Sequence, residues 1–363
     1  MTIVQVMPEF GLAGAETMCE NLIYELTKLG HNVVAVSMYD FHSAITERLE
    51  NSGIDVCYLG KKLGLDFSMI PKMMRVFKKV NADVIHTHRN CAQYAVPAAM
   101  IVGVKRRVHT VHNIAEKENE RMARVVNKFF FKHCHLIPVA LSSGIRDSIV
   151  KEYKITRSRV PIIFNGINLS QCISKGDYSI NGNLKVLHIG RFSEQKNHGR
   201  LLRAFVLFHN KHSDSELWLI GDGEKKTEIE TFVCKNALSE NVKFLGLQSD
   251  VHEFLREADI FVLPSDYEGM PMTIIEAMGT GLPCIASNVG GIPDMISNGV
   301  DGMLIEPNEG ALVDAIESLY NDMTLRKKLG ENAKKRAQSF SSEQMAREYI
   351  KVYGDCIYES GKQ

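Results

Sequence analysis

The sequence predicts an α/β protein made of two doubly wound, Rossmann-like domains in series. Three observations carry this. Short apolar runs alternate with longer helical patterns, the βαβ rhythm of a parallel sheet. The rhythm is interrupted by a polar stretch at 169–183 and restarts at Leu184. The length, 363 residues, is about two domains at roughly 150 residues each.

In order, residues 2–7 form an apolar run, followed by a glycine-containing loop and a helical pattern over 15–29 that Gly30 ends, as a glycine just past a helix does. Further strand-like runs lie at 32–37, 84–86 and 105–111. In the second half, strands are predicted at 184–190, 216–220, 242–245, 259–263 and 283–286, with helices near 199–209 and 273–279. Helical patterns fill 310–338 and 341–358. The domain reading is an N-terminal acceptor-side domain at 1–168, a linker at 169–183, a C-terminal donor-side domain at 184–340 and a final helical segment at 341–363. Ligands of such sheets sit beyond the carboxyl ends of the strands, so a cleft between two such domains is the expected site.

Hydrophobic residues make up 45% and charged residues 24%, which excludes disordered, collagenous and coiled-coil classes. The cysteines at 19, 57, 91, 134, 172, 234, 284 and 356 form no C-x-x-C pair, so a reducing compartment is expected rather than a disulfide framework or zinc ribbon. The first residues lack a basic and then apolar leader pattern. The longest apolar stretch, 92–104, is shorter than the ~20 residues a membrane span needs. A soluble cytoplasmic protein is the expectation.

Net charge is zero, but residues 1–168 carry 22 Lys and Arg against 15 Asp and Glu, while 169–363 carry 21 against 28. The halves are therefore +7 and −7. Either the basic half faces an anionic partner or the two domains complement each other. Two basic segments interleaved with apolar residues, 61–79 and 121–132, read as binders of an anionic membrane surface or as ordinary amphipathic helices.

The stretch Glu268-Gly-Met-Pro-Met-Thr-Ile-Ile-Glu276 places seven residues between two glutamates. Glu268 falls in a loop after a strand, and Glu276 in the first turn of the next helix, whose N-terminus suits a phosphate. A carboxylate would repel that phosphate, so Glu276 is expected to point elsewhere, for instance to a ribose diol. Against this stand two structural alternatives: Thr273-Ile-Ile-Glu276 as a capping box, and Glu268 as a solvated loop acid. Arg191 and Lys196, in Gly190-Arg-Phe-Ser-Glu-Gln-Lys196 beyond a strand end, either neutralise a diphosphate or are surface cations. Gly11-Leu-Ala-Gly14 and Gly221-Asp-Gly223 are turns that let backbone approach a ligand or simply turn tightly. Neither matches G-x-G-x-x-G or G-x-x-x-x-G-K-[ST]. The first half is histidine-rich, but no metal-ligand spacing and no D-x-D occurs, so no metal and no cofactor is expected. Of these histidines, His112, closing a strand, is the site candidate.

Together these blocks resemble the signature of the retaining family-4 glycosyltransferases of GT-B fold, in which two such domains face each other. The EGMPMTIIEAMGTGLP stretch is similar to their EGxP…EAM…GxP block, and Gly190-Arg191…Lys196 to their GR-x4-K turn. Gly221-Asp-Gly-Glu224, Gly290-Gly-Ile-Pro-Asp294, Asp301-Gly-Met-Leu-Ile-Glu-Pro307 and Asn165-Gly-Ile-Asn168 resemble further blocks. The resemblance covers nearly the whole chain and is strongest from 184 to 310. It implies that Arg191 and Lys196 bind the donor diphosphate, that Glu276 holds the ribose and that Glu268 bonds the donor sugar. It implies amide contacts from Met270, Met272 and Thr273, a base near Gly246 and Leu247, and close approaches at Gly190 and Gly221. It also implies a phosphate near Gly14 and a reacting sugar near His112. One departure is Ala13 where the family often has a second glycine, and alanine disfavours positive φ.

The resulting expectation is a metal-independent retaining transferase. It would use a nucleotide-sugar donor, UDP-linked, and a glycan or polyprenyl-linked glycan acceptor of surface polysaccharide synthesis. No nucleic-acid partner is expected; an anionic membrane surface on the inner face of the plasma membrane is. A GT-B-fold sugar-nucleotide epimerase and a non-catalytic nucleotide-sugar-binding protein are the alternatives.

Overall fold

The structure, a computed structural model, describes residues 1–118 and 120–355. It divides into two compact units, residues 1–166 together with those from Ser342 onward, and residues 167–341. Each is a six-stranded parallel sheet covered by helices, the two doubly wound α/β domains that the sequence predicts.

In the first unit, β1 (Thr2–Met7), β2 (Asn32–Ser37), β3 (Asp55–Tyr58), β4 (Val84–His88), β5 (Arg106–Val111) and β6 (Leu136–Ala140) lie in the order β3-β2-β1-β4-β5-β6. β1 pairs with β2 from Thr2–Asn32 to Met7–Ser37 and with β4 from Ile3–Val84 to Val6–Thr87. The second unit has β7 (Leu184–Ile189), β8 (Ser215–Ile220), β9 (Val242–Gly246), β10 (Ile260–Leu263), β11 (Cys284–Ser287) and β12 (Met303–Ile305), in the order β12-β11-β10-β7-β8-β9. Both orders are 3-2-1-4-5-6, so each unit reverses direction between its first and fourth strands, where doubly wound sheets bind ligands.

Strands covered on both faces read as largely apolar runs; β2 follows that rule, while β1 and β7 are each interrupted by a buried polar residue, Gln5 and His188. Val4, Val6, Val34, Val36 and Ile85 are buried against Met69, Met73, Phe77 and Tyr94. Each such side chain contributes about 1.5–3 kcal/mol of transfer free energy. The three strands without a sequence signal, β3, β6 and β12, are edge strands. β3 begins on an exposed Asp55, β6 carries Pro138, and β12 has three residues. Edge strands pair on one side only, so they tolerate proline and short length.

Gly30 sits at φ +82° just past helix Gly14–Lys28. The long helical pattern over 310–338 is two helices, Glu309–Asn321 and Met323–Ala337, divided where the Asp322 side chain accepts from the Leu325 amide. The stretch 169–183 is bonded to the second unit: Lys175 N donates to Thr280 O (2.8 Å) and the Tyr178 hydroxyl to Gly281 O (3.0 Å). The last described helix, Ser342–Asp355, packs within the first unit, with Tyr349 and Tyr353 fully buried. Residues 356–363 of the expected C-terminal segment, Cys356 among them, lie outside the described residues. Among the described residues the other seven cysteines are free, and no helix is long and apolar enough to cross a membrane.

Candidate active site

In the second unit the loops after β7 and β10 are stitched together at the strand-order reversal. Beyond β7 the chain runs through Gly190, Arg191 and a 3₁₀ turn, Glu194–Lys196, to Asn197, whose side chain caps helix His198–His209 by accepting from Arg200 N at 3.0 Å. Asn197 donates to both Asp266 oxygens, and Arg200 to Asp266 and to Pro264 O. Gln195 donates to Tyr267 O (2.9 Å) and Glu268 Oε2 (3.3 Å). Lys196 Nζ and Ser265 Oγ both donate to Glu268 Oε1, each at 2.6 Å.

Glu268 is thus no solvated loop acid: it is buried, and its charge is met by Lys196 and two neutral donors. A buried pair of this kind is costly to break from one side, because the remaining charge is stranded. The turn Gly290-Gly291 fixes the backbone beneath it. Gly291 N donates to Glu268 O (3.2 Å), and a Cβ on Gly290 (φ +57°) would fall 1.9 Å from that oxygen. Only glycine fits there.

Gly190, Gly221 and Gly246 stand at the ends of three neighbouring strands. Gly190 N donates to Ile220 O (3.0 Å) and Gly221 N to Gly246 O (2.8 Å). A Cβ on Gly221 (φ +141°) would meet Gly190 O at 2.1 Å. The result is a ledge without side chains at the carboxyl end of the sheet, with Leu247 exposed beside it.

Arg191 differs from Lys196. It is exposed and pairs with the equally exposed Glu224 (3.1 Å), a contact worth at most about 1 kcal/mol. Its guanidinium can be recruited by an anion at little cost, whereas Lys196 is already held.

The capping-box alternative is overturned. Helix Met272–Thr280 starts after Pro271 with no side-chain cap, which makes Glu276 its fifth residue rather than a first-turn acid. Proline at the cap position sets the start two residues earlier than a Thr273 cap would. Thr273 Oγ1 is buried without a partner. Helix geometry leaves the amides of Met272 and Thr273 without intrahelical acceptors, while the Met270 and Met272 side chains are buried. Burial, with a smaller push from Asp250, raises the Glu276 carboxyl to about 7.

Gly14 and His112 belong to the first unit. Ala13 has φ −136° and ψ 167°, ordinary extended backbone, so the missing second glycine imposes no strain. Three residues on from Ala13, the buried Glu16 accepts from Arg89 (2.7 Å), which follows β4 at φ +52°. His112 follows β5, and its amide donates to Glu118 Oε1 at 2.9 Å. Burial raises the Glu118 carboxyl to about 7. His88 Nδ1 lies 3.0 Å from His112 Nε2. Among the described residues no cluster of three or more metal-ligating side chains forms.

Sequence reasoning missed Gln195, Ser265, Arg89 and Glu118. Gln195 and Ser265 were within reach: Gln195 lies inside the Gly190–Lys196 motif, and Ser265 three residues before Glu268. Arg89 and Glu118 gave no signal, because their partners are distant in sequence or meet them through backbone.

Of the basic segments, 61–79 folds partly inward. Met69, Met73 and Phe77 are core, and Lys61 is buried with Nζ donating to Lys62 O and Gly64 O. Leu63, Leu65 and Phe67 remain exposed, as do Met122, Val125 and Phe129 along helix Arg121–His133.

Comparison with known proteins agrees with this architecture. Residues 12–171 match the family model described as Glycosyltransferase Family 4, and 174–336 that described as Glycosyl transferases group 1. An Escherichia coli UDP-Gal:alpha-D-GlcNAc-diphosphoundecaprenol alpha-1,3-galactosyltransferase is 31% identical over 72% of this chain and 72% of its own. A Campylobacter jejuni 4-alpha-N-acetylgalactosaminyltransferase, named for a diphospho-undecaprenol substrate, is 24% identical over 79% of this chain and 81% of its own. Among solved structures, Anabaena HepE in complex with UDP and glucose superposes with TM-score 0.85 at 20% identity, covering 98% of this chain and 100% of that one.

Proposed function

This chain belongs to glycosyltransferase family 4, its second half being a group 1 glycosyl transferase domain, and we propose that it is a retaining enzyme working without a metal ion. Its donor is a nucleoside-diphosphate sugar, UDP-linked as in the name of the Escherichia coli relative, and its acceptor a glycan or polyprenyl-linked glycan of polysaccharide synthesis. One observation carries the reading. At the reversal of the second sheet, a fixed cation (Lys196), a recruitable cation (Arg191), a glycine ledge and the amide-bearing start of helix Met272–Thr280 stand at the same carboxyl end of the sheet. That combination suits a diphosphate leaving group.

In this reading the bond from the anomeric carbon to the phosphate oxygen breaks while Arg191, Lys196 and the helix amides of Met272 and Thr273 offset the growing charge. The acceptor oxygen bonds to the same face of the sugar, and its proton passes to the departing phosphate oxygen. Glu268, held by Lys196 and Ser265, bonds the sugar rather than attacking it. Glu276 takes the ribose hydroxyls, and Gly246 and Leu247 lie under the base. In the first unit, Gly14 approaches phosphate and His112 the sugar. The exposed apolar residues Leu63, Leu65, Phe67, Met122, Val125 and Phe129, set among lysines and arginines, suit an anionic bilayer bearing the acceptor. Salt-independent absence from anionic vesicles on sedimentation would remove that part.

Calorimetric titration with UDP, GDP and ADP in EDTA, with Glu276→Ala alongside, tests the donor site. Micromolar binding of one nucleotide, lost in the variant, is expected. Binding of none would end the reading.

A further inference from the structure

Behind His112 the first unit holds a buried chain of polar side chains reaching the last helix. Tyr353 Oη is 2.8 Å from His86 Nδ1 and accepts from Gln5 Nε2 at 3.3 Å. Gln5 Oε1 is 2.9 Å from His88 Nε2, and His88 Nδ1 is 3.0 Å from His112 Nε2. His86 Nε2 meets Thr110 (2.7 Å), which meets Tyr349 (2.7 Å). Apart from half-buried His112, all of these side chains are buried.

Hydrogen-bond bookkeeping fixes the protons. The Cys19 thiol, kept protonated by burial, donates to Gln5 Oε1 at 3.9 Å, while the Gln5 amide nitrogen faces the Tyr353 hydroxyl. The oxygen of Gln5 therefore faces His88, and His88 carries its proton on Nε2. Burial holds His88 down to about 3, so it is neutral and its Nδ1 is a bare acceptor. His112, also kept neutral by burial, must then donate from Nε2. Its remaining ring atom, Nδ1, has a lone pair and no partner among the described residues.

We propose that Gln5, clamped by Tyr353, and His88 are positioning residues that lock His112 in its Nε2–H tautomer, so that His112 offers a bare Nδ1 to a hydroxyl of the transferred sugar. The inference rests on the transferase reading for its last clause only. A bare acceptor takes a hydroxyl and is left unpaired by a deoxy analogue, so the lock also makes the site selective for that hydroxyl.

The test is long-range proton–nitrogen NMR on the protein labelled at histidine ring nitrogens, with His112→Gln for assignment. Wild type should show His88 and His112 both protonated on Nε2. Gln5→Met removes the acceptor for His88 and should move His112 toward Nδ1–H. Tyr353→Phe frees the Gln5 amide to turn and should do so partly. Turnover of a nucleotide sugar should fall about tenfold in Gln5→Met, of the order lost with one hydrogen bond, with donor KM changed less than kcat. Wild-type His112 protonated on Nδ1, or a tautomer indifferent to Gln5→Met, overturns the lock. A shifted tautomer with unchanged kcat overturns the sugar contact. If no nucleotide sugar is bound or turned over at all, the transferase reading fails, while the tautomer result in wild type still decides the lock.

Discussion

At the reversal of the second sheet stands a buried ion pair, Lys196–Glu268, over glycines without side chains. At the reversal of the first stand neutral imidazoles, with Arg89 and Glu16 beside them. One strand order thus supports two electrostatic designs. The charged one suits a ligand whose own charge changes during reaction, because fixed countercharges act where charge develops. The neutral one suits hydroxyl groups, where a bare ring nitrogen of known tautomer discriminates and a charge would not.

The contrast is broken most forcibly at Lys196. Lys196→Ala leaves Glu268 buried with only Ser265 and Gln195 as donors, and stranding a buried charge costs about 3–5 kcal/mol. Urea unfolding should read a loss of that size, with turnover abolished. A loss below about 1 kcal/mol would mean that Glu268 is not held by Lys196 in solution and that the second unit has no preset charge.

Arg191→Ala separates chemistry from stability. Its pair with Glu224 is exposed on both sides, so stability should move by less than about 1 kcal/mol. The catalytic loss should nevertheless be on the order of a hundredfold in kcat/KM, as for removal of one donor to a developing charge, at ~3 kcal/mol. An unchanged kcat/KM would remove Arg191 from the reaction.

How legible each half was follows from how its site is assembled. In the second unit the chemistry is local: Gly190 to Lys196 is one turn, and Ser265 to Glu276 is one loop and helix start. The residues and their spacing therefore announce the site. Even there the sequence misled at Thr273–Glu276, because a capping box and a helix begun at Pro271 use the same letters. In the first unit Gln5 comes from inside one strand, His88 and His112 from the ends of two others, and Tyr353 from the last helix. Each alone is an ordinary polar residue, and only the sheet order brings them together. The strands Thr2–Met7, Asn32–Ser37 and Leu184–Ile189 were readable because burial on both faces makes them largely apolar, despite buried polar residues such as Gln5 and His188. The edge strands Asp55–Tyr58, Leu136–Ala140 and Met303–Ile305 lacked that constraint.

A smaller effect distinguishes two carboxyls that both titrate near 7, Glu118 in the first unit and Glu276 in the second. In each case burial raises the folded value above the ordinary carboxylate range. Each therefore favours folding fully at low pH, below the unfolded value, and that contribution is lost as pH rises through about 7. Stability should decline as pH rises from about 4.5 through 7 and level off above it, and Glu118→Gln and Glu276→Gln should each remove part of the decline. Donor affinity should behave differently. Ionised Glu276 is the better acceptor for ribose hydroxyls, so nucleotide-sugar affinity should rise over the same interval. Glu276→Gln should flatten that rise and Glu118→Gln should not. A rise that survives Glu276→Gln would place the ribose elsewhere.

The smallest effect expected is at Ala13, where the first unit departs from a paired glycine. Alanine already occupies φ −136° and ψ 167° there, a conformation open to every L-residue. Ala13→Gly gains no backbone freedom the fold uses and adds entropy to the unfolded chain, so stability should fall by about 0.4–1 kcal/mol. Donor kcat/KM should stay within about twofold, far inside the tenfold that 1.4 kcal/mol represents. A gain of tenfold or more in Ala13→Gly would mean that this loop passes through positive φ when phosphate binds. The first unit would then share with the second a dependence on glycine backbone, and the division between a charged, glycine-built site and a neutral, histidine-built one would hold only for the unliganded protein.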